Sequence, residues 1–276
     1  MRLVFATLVL FLAAMAAPSA SASAAYNRLY AFGDSYSDIG AGYLVGNGPT
    51  SVAYLAQRMS IPFTHSKDKH ANSQGIDFAV AGAATGLDPG KATNGLLLEV
   101  GMINQVQDFA ARVRNKSITF DPDRTLFFIA GGLNDEGVPL DVTLANITRQ
   151  IEMLKSVGAR HIVLTLLPTK VPGFAETALR LNPAYEKLVP ALRSQLGIDL
   201  WLSHWGSYFD EIIDHPQTYG ITNSKDPCAF SAPLGEKGGA PCPDPRKYFY
   251  YYGEHPSTWV SKLVGDKLYH EVEAHR

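Results

Sequence analysis

The stretch LYAFGDSYSD, residues 29–38, joins a short apolar run to a turn that carries a serine. Residues 29–32 have the β-favouring composition of a strand, and Gly33 and Asp34 are typical of the turn that ends it. We therefore expect Ser35 at the carboxyl end of the first strand, with a helix after it. Ligands of parallel α/β sheets bind beyond this end of the strands, so Ser35 is a candidate functional residue.

The same pattern of a strand and a turn recurs along the chain and alternates with segments of helical spacing. Such alternation predicts a parallel sheet with helices on both faces. We predict an α/β fold, a three-layer α/β/α arrangement around a central parallel sheet of five strands, in a single domain covering residues 25–276. The predicted strands are residues 29–32, 76–80, 125–130, 162–167 and 198–202, and the predicted helices are residues 144–154, 183–196 and 259–272.

Residues 1–24 have the composition of a secretory signal peptide. Arg2 supplies a positive charge, residues 3–17 are apolar, and small residues lead to a predicted cleavage site near residues 24 and 25. A membrane anchor is the alternative, but it requires about 20 apolar residues and this run ends at Pro18. We predict a secreted or periplasmic mature protein with no integral membrane segment after signal cleavage.

The charge of the chain is close to balanced, with 24 Lys and Arg residues against 26 Asp and Glu residues. A domain that binds nucleic acid through its phosphates carries a basic patch or stripe. The formal charge of −2 indicates no such surface, so we expect no nucleic-acid partner.

The two cysteines, Cys228 and Cys242, lie close together in a segment rich in proline and glycine. An exported chain matures in an oxidising compartment, which favours a disulfide closing this short loop. A metal site is the alternative, but two thiols without a nearby pair of histidines fall short of the usual four ligands. We expect a disulfide, no metal and no cofactor.

Three further residues complete a candidate acyl-transfer site with Ser35. Acyl transfer needs a nucleophile, a base that takes its proton, and preorganised donors for the oxyanion. Gly82 lets a backbone N–H approach the oxyanion closely because it has no side chain. Asn134 offers a side-chain amide after the third predicted strand, and His255 offers an imidazole base near the start of the last helix. Each signal is weak alone, but together they favour one site.

These motifs resemble the sequence blocks of the SGNH/GDSL hydrolases. Residues 207–228 also resemble the larger GDSL lipase/esterase branch of that family, so the likeness covers nearly all of the mature chain. The matching blocks are FGDSYSD at residues 32–38, DFAVAGA at residues 77–83, GLND at residues 132–135 and the dipeptide His255-Pro256.

The resemblance implies a flavodoxin-like SGNH hydrolase fold and a defined set of roles. Ser35 would attack the ester carbonyl, and its own N–H, the N–H of Gly82 and the amide of Asn134 would form the oxyanion hole. His255 would act as the general base and then as the acid. These are the roles that the residue types themselves indicate.

The chain departs from the family pattern at the third catalytic member. The family usually has an aspartate three residues before the histidine, and Tyr252 stands there in this chain. The phenol of Tyr252 is neutral and stabilises an imidazolium far less than a carboxylate does. Three substitutes remain open, which are the backbone carbonyl of Tyr252, the carboxylate of Glu254, and a bound anion or water. We rank the carbonyl first, because adjacent residues such as Glu254 and His255 seldom face each other.

The sequence thus predicts a metal-free carboxylic ester hydrolase that works through an acyl-enzyme. Its partner would be a small-molecule, glycan or lipid ester. One alternative is a carbohydrate O-acetylesterase of the same fold, which would release acetate from acetylated xylan but not cleave long acyl esters. Another is a secreted binding protein that has lost activity, which the tyrosine at position 252 favours and the retained serine and histidine oppose.

Overall fold

A computed structural model describes residues 26–40, 45–69, 74–93, 95–229 and 241–276 of the protein. Strands and helices alternate through these residues, as the sequence predicts. In chain order the elements are β1 (Arg28–Gly33), α1 (Ser51–Arg58), β2 (Thr64–His65), β3 (Gly75–Asp77), β4 (Pro89–Thr93), β5 (Leu96–Val100), α2 (Met102–Arg114), β6 (Thr125–Ala130), α3 (Leu140–Ser156), β7 (His161–Thr165), α4 (Pro172–Leu196), β8 (Asp199–Ser203), α5 (Trp205–Asp214), β9 (Tyr250–Tyr252), β10 (His255–Pro256) and α6 (Thr258–His275).

The central sheet, within the described residues, has six parallel strands in the order β2, β3, β1, β6, β7, β8. The predicted α/β fold is confirmed, and all five predicted strands are in this sheet. The sixth strand is β2, which pairs with β3 through Thr64 and His65. Two residues are too few for a period-2 pattern to be visible in a sequence, so this edge strand escaped prediction.

Helices cover the sheet in two layers. Helix α3 contacts both α2 and α4, while α6 contacts both α1 and α5. Strands β1 and β6 are buried along nearly their whole length, as expected for the middle of a sheet with helices on both faces. Phe32 of β1 stacks on Phe78 at a centroid separation of 5.3 Å, which fixes the ends of β1 and β3 side by side.

Two local expectations differ from the structure. Helix α4 begins at Pro172 rather than at Pro183, because its buried stripe continues through residues such as Ala178 and Leu181 ahead of the internal proline. The segment after Ser35 forms a hydrogen-bonded turn, and the first α-helix described begins only at Ser51.

No helix among the described residues combines the length and the apolar composition that a bilayer crossing requires. The predicted signal peptide, residues 1–24, lies outside the described residues.

The two cysteines are joined in a disulfide that sits against the strand leading to the candidate base. Cys228 and Cys242 lie 4.9 Å apart at their Cα atoms. The backbone N–H of Cys228 donates to Tyr250 O at 3.1 Å, and that of Ala229 donates to Tyr251 O at 2.7 Å. The disulfide-closed loop is thereby hydrogen-bonded to β9, three to five residues before His255.

Candidate active site

The four residues singled out by the sequence line one cleft at the carboxyl edge of the sheet. Ser35, Gly82, Asn134 and His255 share a cavity of about 210 Å³. Their positions follow from the parallel topology, because strands β1, β3 and β6 all end at this edge. The remaining lining residues are mainly apolar: Val45, Ala81, Leu98, Glu99 and Phe174.

Ser35 stands in a tight turn that the chain forms directly after β1. The backbone N–H groups of Ser37 and Asp38 donate to Asp34 O at 3.0 and 2.9 Å, and the Asp34 carboxylate accepts the N–H of Tyr36 at 3.0 Å. An aspartate that accepts from the backbone two residues on is a common way to fix a turn. The turn presents the Ser35 hydroxyl to the cleft.

The Ser35 hydroxyl and the His255 imidazole are in hydrogen-bond contact. Ser35 Oγ lies 2.8 Å from His255 Nε2, although 220 residues separate them in the chain. Burial lowers the pKa of His255 to about 4, and the hydrogen bond that the ring donates to the Tyr252 carbonyl opposes this effect. The imidazole is therefore neutral at neutral pH and free to accept a proton.

The carbonyl of Tyr252 is the group that contacts the far side of the imidazole. His255 Nδ1 lies 3.2 Å from Tyr252 O, across the short antiparallel pair of β9 and β10. An N–H donated from Nδ1 leaves Nε2 as the acceptor facing Ser35, which is the tautomer a base needs. The first-ranked substitute for the missing aspartate therefore has the required geometry.

Glu254, the second-ranked substitute, is engaged elsewhere. Its two carboxylate oxygens each lie 2.8 Å from the backbone N of Gly173, in the first turn of α4. The side chain thus points to a helix N-terminus rather than to the imidazole of His255.

Gly82 has a backbone that only glycine adopts easily. Its φ is +80°, and a Cβ at this position would lie 2.8 Å from Glu99 Cγ. The left-handed conformation costs other residues about 1–2 kcal/mol. A side chain here would disturb both the backbone and the wall of the cleft.

The side-chain amide of Asn134 uses one of its two N–H donors within the protein. Its Nδ2 donates one hydrogen bond to Ala83 O at 3.0 Å. A side-chain amide nitrogen carries two donors, so one N–H remains for a ligand in the cleft. The bond to Ala83 also fixes the amide beside the loop that carries Gly82.

Two buried aspartates join the nucleophile turn to the loop before Gly82, and sequence reasoning did not find this link. Asp38 accepts the N–H of Ala81 at 2.8 Å, and Asp77 accepts the N–H of Ile39 at 2.9 Å. Burial raises the pKa of both carboxyls above the usual range. Both aspartates lie within the sequence blocks, but their partners are in other loops and no local pattern indicates them.

A further buried carboxylate supports the loop that carries Asn134. Asp135 accepts the backbone N–H of Thr85 at 2.8 Å and the hydroxyl of Thr143 at 2.6 Å. Over the described ranges, His, Cys, Asp and Glu side chains form no group of three or more suited to a metal ion.

The fold and the cleft define an α/β protein whose candidate site pairs a hydroxyl with an imidazole beside amide donors. The sequence model of the GDSL-like Lipase/Acylhydrolase family matches residues 29–235, and the chain belongs to this family. The family makes the protein a hydrolase that acts on esters. The matched range includes Ser35, Gly82 and Asn134 but ends before His255.

Curated relatives carry the same family name. The chain is 21% identical to GDSL esterase/lipase At3g48460 of Arabidopsis thaliana, over 87% of this chain and 85% of the relative. It is 27% identical to GDSL esterase/lipase EXL4 of the same plant, over 72% of this chain and 68% of the relative. Among solved structures, a member of the lipolytic protein G-D-S-L family from Veillonella parvula has a TM-score of 0.47 at 15% identity, over 87% of this chain and 94% of that one.

Proposed function

We propose that the protein is a carboxylic ester hydrolase with Ser35 as nucleophile and His255 as general base. The observation that carries the proposal is the 2.8 Å contact between Ser35 Oγ and His255 Nε2 in a cleft shared with Gly82 and Asn134. A protein that only binds an ester has no need for a nucleophile, a base and two oxyanion donors at one point. This arrangement supports an enzyme over a binding protein that has lost activity.

The reaction begins with transfer of the Ser35 proton to His255 Nε2 as the oxygen attacks the ester carbonyl carbon. The carbonyl oxygen takes up the negative charge and accepts hydrogen bonds from the N–H groups of Ser35 and Gly82 and from the Asn134 amide. His255 then gives its proton to the departing alcohol, which leaves an acyl group on Ser35. Water, deprotonated by His255, cleaves this acyl-enzyme and restores the hydroxyl.

The oxyanion donors and the serine–histidine pair make separate contributions to transition-state stabilisation. Loss of one preorganised oxyanion donor costs about 2.7–4 kcal/mol of transition-state stabilisation in a serine hydrolase. The imidazolium formed in each step faces a neutral carbonyl at Tyr252 instead of a carboxylate. The oxyanion hole therefore supplies more of the rate enhancement here than in a full triad.

The lining of the cleft favours an ester with an apolar group. Val45, Ala81, Leu98 and Phe174 border the reacting atoms, and apolar walls bind acyl or alkyl chains rather than sugar hydroxyls, which need hydrogen-bond partners. We therefore place the carbohydrate O-acetylesterase second.

Export is part of the proposal. The composition of residues 1–24 and the disulfide between Cys228 and Cys242 support a secreted or periplasmic enzyme. Mass analysis of the mature chain from its natural host would test this, with an N-terminus near residue 25 expected. A mature chain that retains residues 1–24 would contradict it.

An active-site-directed organophosphonate tests the mechanism. We expect a single adduct, mapped to Ser35, and hydrolysis of short and medium acyl esters that Ser35→Ala and His255→Ala abolish. Glu254→Ala should lose less than about tenfold in kcat/KM, because its carboxylate does not face the imidazole. A folded protein that forms no adduct would contradict the proposal, and a fully inactive but folded Glu254→Ala would contradict the dyad.

A further inference from the structure

The residue after Ser35 and the residue before His255 are joined by a hydrogen bond. The Tyr36 hydroxyl donates to the backbone carbonyl of Glu254 at 2.6 Å, across 218 residues of sequence. Tyr36 is only 2% exposed, so the bond is shielded from competing water. It ties the nucleophile turn directly to the segment that carries the base.

Packing holds the Tyr36 ring in place. Its centroid lies 5.8 Å from that of Trp205, 5.5 Å from that of Phe209 and 5.7 Å from that of Phe174, each in an edge-on arrangement. The His255 ring lies 5.6 Å away on another side. Aromatic pairs at these separations attract each other, and a close-packed ring has little room to shift. The phenolic oxygen is therefore held at a fixed point beside the imidazole.

The Glu254 side chain supplies a second anchor on helix α4. The N–H of Gly173 points at both carboxylate oxygens, and the free N–H groups and positive dipole of a helix N-terminus favour a carboxylate there. A Cβ at Gly173 would lie 2.0 Å from Glu254 Oε2. Glycine at this position is thus what allows the carboxylate to approach so closely.

Both anchors act on the four residues that end in the base. The carbonyl that contacts His255 Nδ1 belongs to Tyr252, two residues before Glu254. A peptide carbonyl orients a ring only as well as its own chain segment is held, whereas a carboxylate side chain would also orient it through charge. Anchoring of Glu254 therefore decides how well the imidazole is aimed at Ser35.

We infer that Tyr36 and Glu254 are positioning residues that take over the orienting function of the absent third catalytic member. The inference rests on the proposed serine–histidine mechanism and deepens it. Neither side chain forms a hydrogen bond with Ser35 Oγ or His255 Nε2, so the loss of an anchor acts through the orientation of the imidazole. Such a loss lowers kcat and leaves KM nearly unchanged, because substrate binding in the cleft is not altered.

The test compares two tyrosine hydroxyls, each of which joins distant parts of the chain. Tyr36→Phe keeps the packed ring and removes only the donor to Glu254, and we expect kcat to fall about tenfold with KM within about twofold of wild type. The matched control is Tyr54→Phe, which removes the 2.9 Å hydroxyl contact between Tyr54 and Thr258 and should leave kcat within about twofold. Gly173→Ala places a methyl group where the Glu254 carboxylate lies. The carboxylate is displaced, and kcat should fall about threefold to tenfold.

The outcomes separate this inference from the proposed function. Failure of the wild type to hydrolyse esters or to form a Ser35 adduct contradicts the proposed function itself. An active wild type with a folded Tyr36→Phe variant of unchanged kcat, or with a loss confined to KM, overturns the positioning role. If Tyr36→Phe does not fold, as judged by circular dichroism and thermal unfolding, Gly173→Ala decides the matter, because its substitution lies at an exposed helix end. Unchanged kcat in that variant overturns the inference.

Discussion

Lowering the pH from about 8 to about 5 should leave kcat/KM for a neutral ester almost unchanged. Burial lowers the pKa of His255 to about 4. A base with that pKa is about 90% neutral at pH 5, whereas a histidine with the ordinary value is about 3% neutral there. At pH 5 the neutral, active fraction of His255 is thus predicted to be about thirtyfold larger than that of an exposed histidine. The underlying shift corresponds to about 3 kcal/mol between the two protonation states.

The same shift has a consequence for stability that the assay must take into account. Because the folded-state pKa of His255 lies below that of the unfolded chain, stability falls as the pH drops from about 6.5 towards about 4. Burial raises the pKa of Asp34 to about 7, so protonation of this carboxyl below pH 7 acts in the stabilising direction. Circular dichroism at each pH, and recovery of full activity on return to neutral pH, separate unfolding from ionisation.

The measurement is kcat/KM at low substrate concentration, followed by chromatography of the released acid or alcohol. Asp34→Asn is the control, since the Asp34 carboxyl beside Ser35 also titrates in this range. Loss of activity centred near pH 7 in the wild type but near 4 in Asp34→Asn would assign the higher transition to Asp34. Half-maximal activity near pH 6.5 in both proteins, with the fold intact, would refute the burial argument for His255.

Two other predictions concern the oxyanion hole and the missing acid. Gly82→Ala should lower kcat by about tenfold to a hundredfold and the free energy of unfolding by about 1–2 kcal/mol, because the new side chain strains a backbone at φ +80° and meets Glu99. Steady-state kinetics and urea unfolding measure the two effects. An unchanged kcat would contradict a role for Gly82 in the site. Tyr252→Asp should raise the pKa seen on the acid side of the kcat/KM profile by about one to three units, because a carboxylate favours the imidazolium of His255. The control Tyr251→Asp, on the opposite face of the strand, should not raise it. Equal profiles for the two variants would contradict this prediction.

The sequence was sufficient to predict the shared location of the candidate residues that follow strand ends. Ser35, Gly82 and Asn134 each follow an apolar run that reads as a strand, and parallel strands bring their carboxyl ends to one edge without further information. His255 was identifiable from its place before the last helix and from the family resemblance. The rule that parallel strands end at one edge accounts for three of the four residues in the cleft, and His255 reaches it from the separate pair of β9 and β10.

Contacts between distant segments were outside the reach of sequence patterns. Nothing local to Glu254 indicates Gly173, 81 residues earlier, as the partner of its carboxylate. The link from Asp38 to Ala81 depends likewise on how two loops meet after folding. Helix α4 also passes through Pro183, since burial of its apolar stripe outweighs the lost hydrogen bond.

Under the proposed mechanism, activity requires two residues, Ser35 and His255, that lie 220 positions apart in the sequence. A chain cut anywhere between these two residues holds the candidate nucleophile without the candidate base. Helix α6 packs on α1, and contacts so remote in sequence form late and at high entropic cost. If the proposed mechanism holds, local opening of α6 would displace the adjoining His255 and stop turnover while the sheet is still intact. Ester hydrolysis would then be a sensitive reporter of the contact between α6 and α1.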